Sequence, residues 1–239
     1  MKRAFATLLL LSVAACSVTE TGNPSLALTA DTTEGTPWTV GPGAVVEHLW
    51  VVIGGMHFIE HGECGAPTST NQVPGPIVVD LVSGDVLDIA VADQDYCRLE
   101  VDLSLGEGPL PDGAPAELAG AAFVIEGTTA DGAPLRIISR TAVRLLLDAH
   151  AVEAFSISPT ERDFILSVNV ADLLARVALA VTVPRADGSI VISADENEAQ
   201  LAVVEEDLPH SLHLFFDADG DHVLDLDELA TPLAKLPDP

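Results

Sequence analysis

Short runs of β-favouring residues, separated by turn signals, fill the chain between residues 45 and 170. The segment RLEVDLSL (98–105) alternates apolar and polar side chains, which is the two-residue period of a strand with one buried face. Pro74-Gly75-Pro76 and Asp112-Gly113 are examples of the turns between runs. This pattern predicts a mainly β fold, an antiparallel β-sandwich over residues 38–170. The predicted strands are 45–53, 77–82, 86–91, 99–105, 121–126, 135–138, 142–147, 152–157 and 164–170.

The hydrophobic period changes after residue 170. VADLLARVALAV (170–181) suits a short helix, although its β-branched ends leave a strand open. Ser193 followed by Glu196 is a capping-box signature for a helix, and Pro209 fits the first turn of another. Residues 171–239 are therefore predicted to be a small C-terminal helical appendage on a sandwich similar to immunoglobulin or transthyretin domains. The apolar stripe of the last helix would comprise Leu208, Leu212, Phe215 and Phe216.

The chain begins with the pattern of an export signal. Met1-Lys2-Arg3 is positively charged, residues 4–15 are mostly apolar, and small residues precede Cys16. The ending Val13-Ala14-Ala15-Cys16 resembles the lipobox of bacterial lipoproteins. That resemblance implies a signal peptide over residues 1–15, cleavage before Cys16 and lipidation of the Cys16 sulfur. An ordinary signal peptide with a chance cysteine is the alternative.

Residues 16–37 are small and polar and contain prolines, which predicts a flexible tether between the lipid and the domain. Ser17 follows the cysteine where an aspartate would favour the inner membrane. We therefore expect sorting to the outer membrane, on its periplasmic or cell-surface side. Membrane contact is expected through the lipid anchor only, and several acyl chains would make it stable.

Acidic residues far outnumber basic ones after the signal peptide. Without Lys2 and Arg3, 8 of the 10 basic residues remain against 37 acidic ones, a formal charge of −29. This charge excludes nucleic acid and anionic lipid headgroups as partners, because both would be repelled. Hydrophobic residues make up 48% of the chain, which argues for a packed core rather than disorder.

The segment DADGDHVLDLDE (217–228) sets acidic residues at nearly alternate positions. It resembles the calcium loop of EF-hand proteins and of dockerin-type modules over its full length. Such a ligand set of hard oxygens favours calcium over zinc, since it contains no sulfur. The resemblance implies that calcium is bound by the carboxylates of Asp217, Asp219 and Asp221, the carbonyl of Val223, a water held by Asp225 and both oxygens of Glu228.

His222 stands where such loops usually carry glycine, because the backbone turns there at positive φ. Histidine is among the residues that tolerate this conformation, so a cost of about 1–2 kcal/mol weakens the site without abolishing it. Pro232 also shortens the exit helix. We expect a weak site with a Kd of about 10⁻⁴–10⁻³ M that orders the tail locally. The alternative is an acidic capping turn without an ion.

A rival metal motif lies at His57, Glu60 and His61, which fit the H-x-x-E-H pattern of inverted zinc peptidases. That chemistry needs both histidines on one face of a helix, whereas the surrounding segment favours a strand. Two further cysteines, Cys64 and Cys97, are predicted to form a disulfide in an exported protein. Zinc capture by Cys64 alongside His61 is the alternative.

These patterns predict a lipid-anchored bacterial surface protein with a non-enzymatic binding or scaffold role and a calcium-binding loop. The chain as a whole resembles, diffusely, bacterial surface lipoproteins that join a β-sandwich to an EF-hand-like tail. The partner of the β domain, a protein or a glycan, is left open. A zinc-dependent hydrolase built on residues 57–61 is the alternative function.

Overall fold

The computed structural model describes residues 23–31, 38–40, 43–64, 71–150 and 153–236. The described part is mainly β, as predicted, with few helices. Its strands are β1 (Ser25–Asp31), β2 (Trp38–Val40), β3 (Ala44–Glu60), β4 (Gln72–Asp80), β5 (Asp85–Asp88), β6 (Asp95–Leu103), β7 (Phe123–Thr128), β8 (Pro134–Ser139), β9 (Val143–Ala149), β10 (Phe155–Ser156), β11 (Asp163–Asn169), β12 (Ile190–Ile192), β13 (Leu212–Phe216) and β14 (Ala234–Lys235). The α-helices are α1 (Val170–Leu174), α2 (Glu198–Ser211) and α3 (Leu226–Leu229).

Each of the nine strands predicted between residues 45 and 170 overlaps an observed strand, from β3 to β11. They belong to one mixed sheet with the order β12-β8-β7-β3-β6-β9-β14-β13-β11-β1-β5, and β2 and β4 pair with β3 while β10 pairs with β6. Most neighbours are antiparallel, but β1 lies parallel to β11 and β12 parallel to β8. The expectation of a purely antiparallel sheet was therefore wrong, and the sandwich type stays a prediction.

The sheet curls until distant strands meet. The Leu81 amide donates to the Leu49 carbonyl of β3 at 2.9 Å, and the Leu81 carbonyl accepts from Ala30 of β1 at 2.8 Å. Leu81 thus joins two strands that lie far apart in the strand order. The enclosed interior is aliphatic and holds a cavity of only about 20 Å³, lined by side chains that include Leu28, Val101 and Leu208. An interior packed this closely is stabilised mainly by burial of apolar surface.

Strand β1 lies inside the segment that was predicted to be a flexible tether. Leu26 and Leu28 have no exposed surface, and the strand pairs with β11 along its whole length. The Ser25 hydroxyl also donates to the Asp163 carboxylate at 2.6 Å. The tether prediction was wrong for these residues because their partner strand lies far away in the chain. The signal peptide, Cys16 and Ser17 lie outside the described residues.

The C-terminal part is not a separate appendage. β13 pairs with β11, β14 pairs with β9 and β13, and β12 pairs with β8, so strands from both sides of residue 170 share one sheet. The predicted helix after Ser193 is α2, which buries Leu201, Val204 and Leu208 and continues through Pro209. The second predicted helix is strand β13 instead. No helix in the described ranges is long and apolar enough to cross a membrane.

Candidate metal centre

The acidic loop leaves the sheet at the end of β13. The Asp217 amide donates to the Asp163 carbonyl of β11 at 3.0 Å, which extends the strand pairing by one residue into the loop. Ala27, Ile165 and Phe215 form a buried apolar cluster, and Leu224 and Leu229 pack against it. The start and end of the loop are therefore both fastened to the sheet.

Three carboxylates of the loop converge. Asp217, Asp219 and Asp221 each offer an oxygen, and these atoms lie within 4.8 Å of one another. The Asp217 side chain is fully buried, while the other two are exposed. Within the described ranges, this is the only group of three or more potential metal-ligating side chains that meets this distance. Carboxylate oxygens in such an arrangement are the ligands that calcium prefers.

The loop turns around the buried Asp217 carboxylate. The Gly220 and His222 amides donate to its two oxygens at 2.7 and 2.9 Å. His222 has φ 63°, which confirms the positive φ predicted at this position, and Gly220 has φ 73°. The His222 ring adds a contact, since Nδ1 lies 3.1 Å from Asp217 Oδ2. Each carboxylate oxygen has two lone pairs, so these contacts leave Asp217 capacity for a cation.

The two exposed carboxylates are oriented by the next turns of the backbone. Asp219 Oδ1 accepts from the Asp221 amide at 3.2 Å, and Asp221 Oδ1 accepts from the Val223 amide at 2.7 Å. Side-chain to backbone bonds of this kind are how aspartate stabilises a turn. Both bonds use Oδ1, so the orientation of each carboxylate is set while its Oδ2 keeps its lone pairs.

Asp225 and Glu228 are not part of the three-carboxylate group. The Asp225 carboxylate caps α3 by accepting from the Asp227 and Glu228 amides at 2.9 and 3.2 Å. Glu228 accepts from the Asp225 amide at 3.3 Å and from the Ala218 amide at 2.7 Å. The Glu228 carboxylate thus reaches back to the second residue of the loop and ties its two ends together. The sequence pattern predicted both residues as ligands, whereas the capping contacts that they make are those expected of the alternative, an acidic capping turn.

The H-x-x-E-H segment lies in strand β3 and the 3-10 turn that follows it, not in a helix. His57 Nε2 is 3.3 Å from the Asp102 carboxylate, whereas Glu60 accepts from the Asn71 amide group at 2.9 Å. The strand predicted from sequence is confirmed for His57 and Glu60. The helical spacing on which inverted zinc peptidases depend is absent from this described segment.

Cys64 and Cys97 form the predicted disulfide, with their Cα atoms 6.2 Å apart. The bond joins the turn after β3 to strand β6. A disulfide sulfur is no longer a thiolate ligand, so Cys64 is not available to hold zinc beside His61.

The arginine side chains in the described ranges form ion pairs with acidic ones. Each of the seven arginines there forms an ion pair with a carboxylate. The Arg144 guanidinium, for example, holds the pKa of Asp102 below its usual value. The remaining carboxylates keep the surface strongly negative, which favours cations over anions as ligands.

Sequence reasoning missed a polar contact between His48 of β3 and Asp80 at the end of β4. Asp80 is buried and accepts from His48 Nδ1 at 2.7 Å, from the Leu49 amide at 3.0 Å and from the Ser83 hydroxyl at 3.0 Å. These groups come from β3 and from the end of β4 and the turn after it, and no short sequence motif predicts that they meet.

Comparisons with known proteins add no assignment: no family model, no curated protein and no solved structure matches this chain.

Proposed function

We propose that this protein is a lipid-anchored surface protein of a bacterial outer membrane with a non-enzymatic binding or scaffold role and an EF-hand-like calcium site at residues 217–228. The observation that carries the calcium proposal is the convergence of three carboxylate oxygens within 4.8 Å around a turn built on Asp217. The positive φ of His222 supports it, because that turn is the one such loops require.

The residues present fit a calcium ion, since every proposed donor is a hard oxygen. The carboxylates of Asp217, Asp219 and Asp221 would hold the ion together with the carbonyl of Val223. Asp225 would hold a water, and Glu228 would bind after giving up amide contacts that it now accepts. Exchange of those contacts for the ion has a cost, which is a further reason to expect weak binding.

Bound calcium would supply positive charge among the carboxylates of the loop. In this proposal the ion has no catalytic part. It relieves repulsion among the loop side chains and holds Leu224 and Leu229 against the apolar cluster on the sheet. The loop would then hold the last strands against the rest of the structure.

Calcium titration of chelator-washed protein by calorimetry tests the site. Asp221→Asn and Glu228→Gln should each weaken binding at least about tenfold, because each removes a charged ligand. Asp227→Asn is the matched control, since this exposed neighbour contributes its backbone amide, and not its carboxylate, to the hydrogen bonds of the loop. Equal weakening by all three substitutions would show a general charge effect instead of a site.

The lipid anchor needs its own test. Cys16→Ala should move the protein from the membrane fraction to the soluble fraction, because the acylated sulfur is the proposed attachment. Ser17→Ala keeps the cysteine and should leave membrane association unchanged. Persistence of the Cys16→Ala protein in the membrane fraction would contradict the lipobox assignment.

A further inference from the structure

A cleft of about 520 Å³ opens on the sheet, away from the calcium loop. Its walls are β3, the end of β7, the start of β8 and the turn that leads into β12. Small-molecule sites in proteins occupy about 300–1,000 Å³, so the cleft is large enough for a ligand of several heavy atoms. The pocket is therefore of the size of a binding site, and its side chains decide the class of ligand.

The cleft is lined by Glu47, Glu126 and Asp187 together with Arg136 and Arg185. Both arginines are already paired. Arg136 contacts Glu126 and Glu117, and Arg185 contacts Glu196. Three carboxylates of the lining thus stand against two guanidinium groups, and both guanidinium groups are also paired with carboxylates outside the lining, Glu117 and Glu196. A ligand with a negative charge would be repelled, whereas a cation would be attracted.

Two acidic side chains of the cleft, Glu47 and Asp187, have carboxylate oxygens that can accept further hydrogen bonds. Glu47 is exposed on β3 and has no ion pair or side-chain hydrogen bond in the described part of the chain. Asp187 accepts from the Ser189 amide and hydroxyl through Oδ1 only, at 3.0 and 2.7 Å, so its Oδ2 remains open. The Ser189 hydrogen bonds also lower the pKa of Asp187, and the charge of Arg185 adds a smaller effect in the same direction.

The cleft also has an apolar portion, where Pro134 is exposed and Ile190 half-buried, while Leu135 and Val191 are buried. An apolar surface does not stabilise a bare metal ion, whereas a chain of methylene groups is stabilised by burial against it. We propose that the cleft binds an alkylammonium group, with the ammonium at Glu47 and Asp187 and the methylene chain along the apolar side chains. The inference is independent of the calcium loop and stands if calcium does not bind.

Two sources could supply this chemistry, a free diamine or the lysine side chain of a peptide. The probes are therefore cadaverine and the methylamide of Nα-acetyl-lysine, titrated into the purified protein with millimolar calcium present and at about 0.1 M salt, where long-range attraction is screened. Cadaverine binding more tightly would assign the cleft to diamines. Equal or tighter binding of the lysine derivative would assign it to basic side chains.

Glu47→Gln and Asp187→Asn should each weaken binding of the better probe roughly tenfold, because each removes a charge-assisted hydrogen bond. Glu107→Gln is the matched control, since it removes the same charge from an exposed position outside the cleft. It should change affinity less than twofold. Failure of both probes to bind at millimolar concentration, or equal loss in all three variants, would overturn the proposal.

Discussion

Removing calcium should lower the stability of the whole sheet and not only loosen the tail. The reason lies in β13, which leads directly into the loop and pairs with β11 over five residues. Leu212, Leu214 and Phe215 are each at most 5% exposed. Releasing three such side chains costs roughly 5–9 kcal/mol, which is comparable with the total stability of a domain. β13 therefore does not fray separately, and the expectation of a purely local calcium effect is replaced.

The size of the effect follows from mass action. At a calcium concentration ten times the Kd, binding to the folded state alone adds about 1.4 kcal/mol, and each kcal/mol shifts the Tm of a chain of this size by about 2–4 °C. We therefore expect a rise in Tm of about 3–6 °C, which Glu228→Gln largely removes and Asp227→Asn keeps. Thermal unfolding followed by circular dichroism measures it.

Amide exchange distinguishes a global effect from a local one. Calcium should increase the protection of β11, the neighbour of β13, as much as the protection of the loop itself, because both open in the same unfolding event. Protection that rises only within residues 217–229, with an unchanged Tm, would refute the proposed coupling between loop and sheet.

Three further predictions concern the rest of the molecule. Replacing Cys64 and Cys97 together by serine should lower the free energy of unfolding by roughly 3–4 kcal/mol, given their separation of 33 residues, as urea titration would measure. Burial lowers the pKa of His213, so the free energy of unfolding should be constant above the unfolded pKa of about 6.5 and fall as the pH drops from there toward the lower folded pKa. His213→Gln should flatten this decline, and an unchanged slope would contradict the prediction. Raising salt from about 0.01 to 0.15 M should increase the Tm by screening surplus carboxylates, and a decrease would show that arginine ion pairs dominate.

The strands and turns that were predicted correctly depend mainly on residues that are close together in the sequence. The strands between residues 45 and 170 are bounded by turns and carry a clear two-residue period, so each could be placed without knowledge of its partners. The positive φ of His222 was predictable for a similar reason, because the conformation is a property of the loop itself. The disulfide of Cys64 followed from having two cysteines beyond the lipobox.

Long-range pairing decided what the sequence could not reveal. β1 follows a polar segment and becomes a strand because β11 lies beside it, 138 residues further along the chain. The apolar residues of β13 fit a helix or a strand equally well, and their place between β11 and β14 selects the strand. Pro209 removes one main-chain hydrogen bond near the end of α2, a smaller cost than an interior break.

The position of β13 and β14 has a consequence for how the chain folds. These two strands lie between β11 and β9, although they follow the other strands of the described sheet in the chain. Until β13 and β14 have paired, β9 and β11 have no strand between them. Folding must wait for contacts of high sequence separation, which makes it slow.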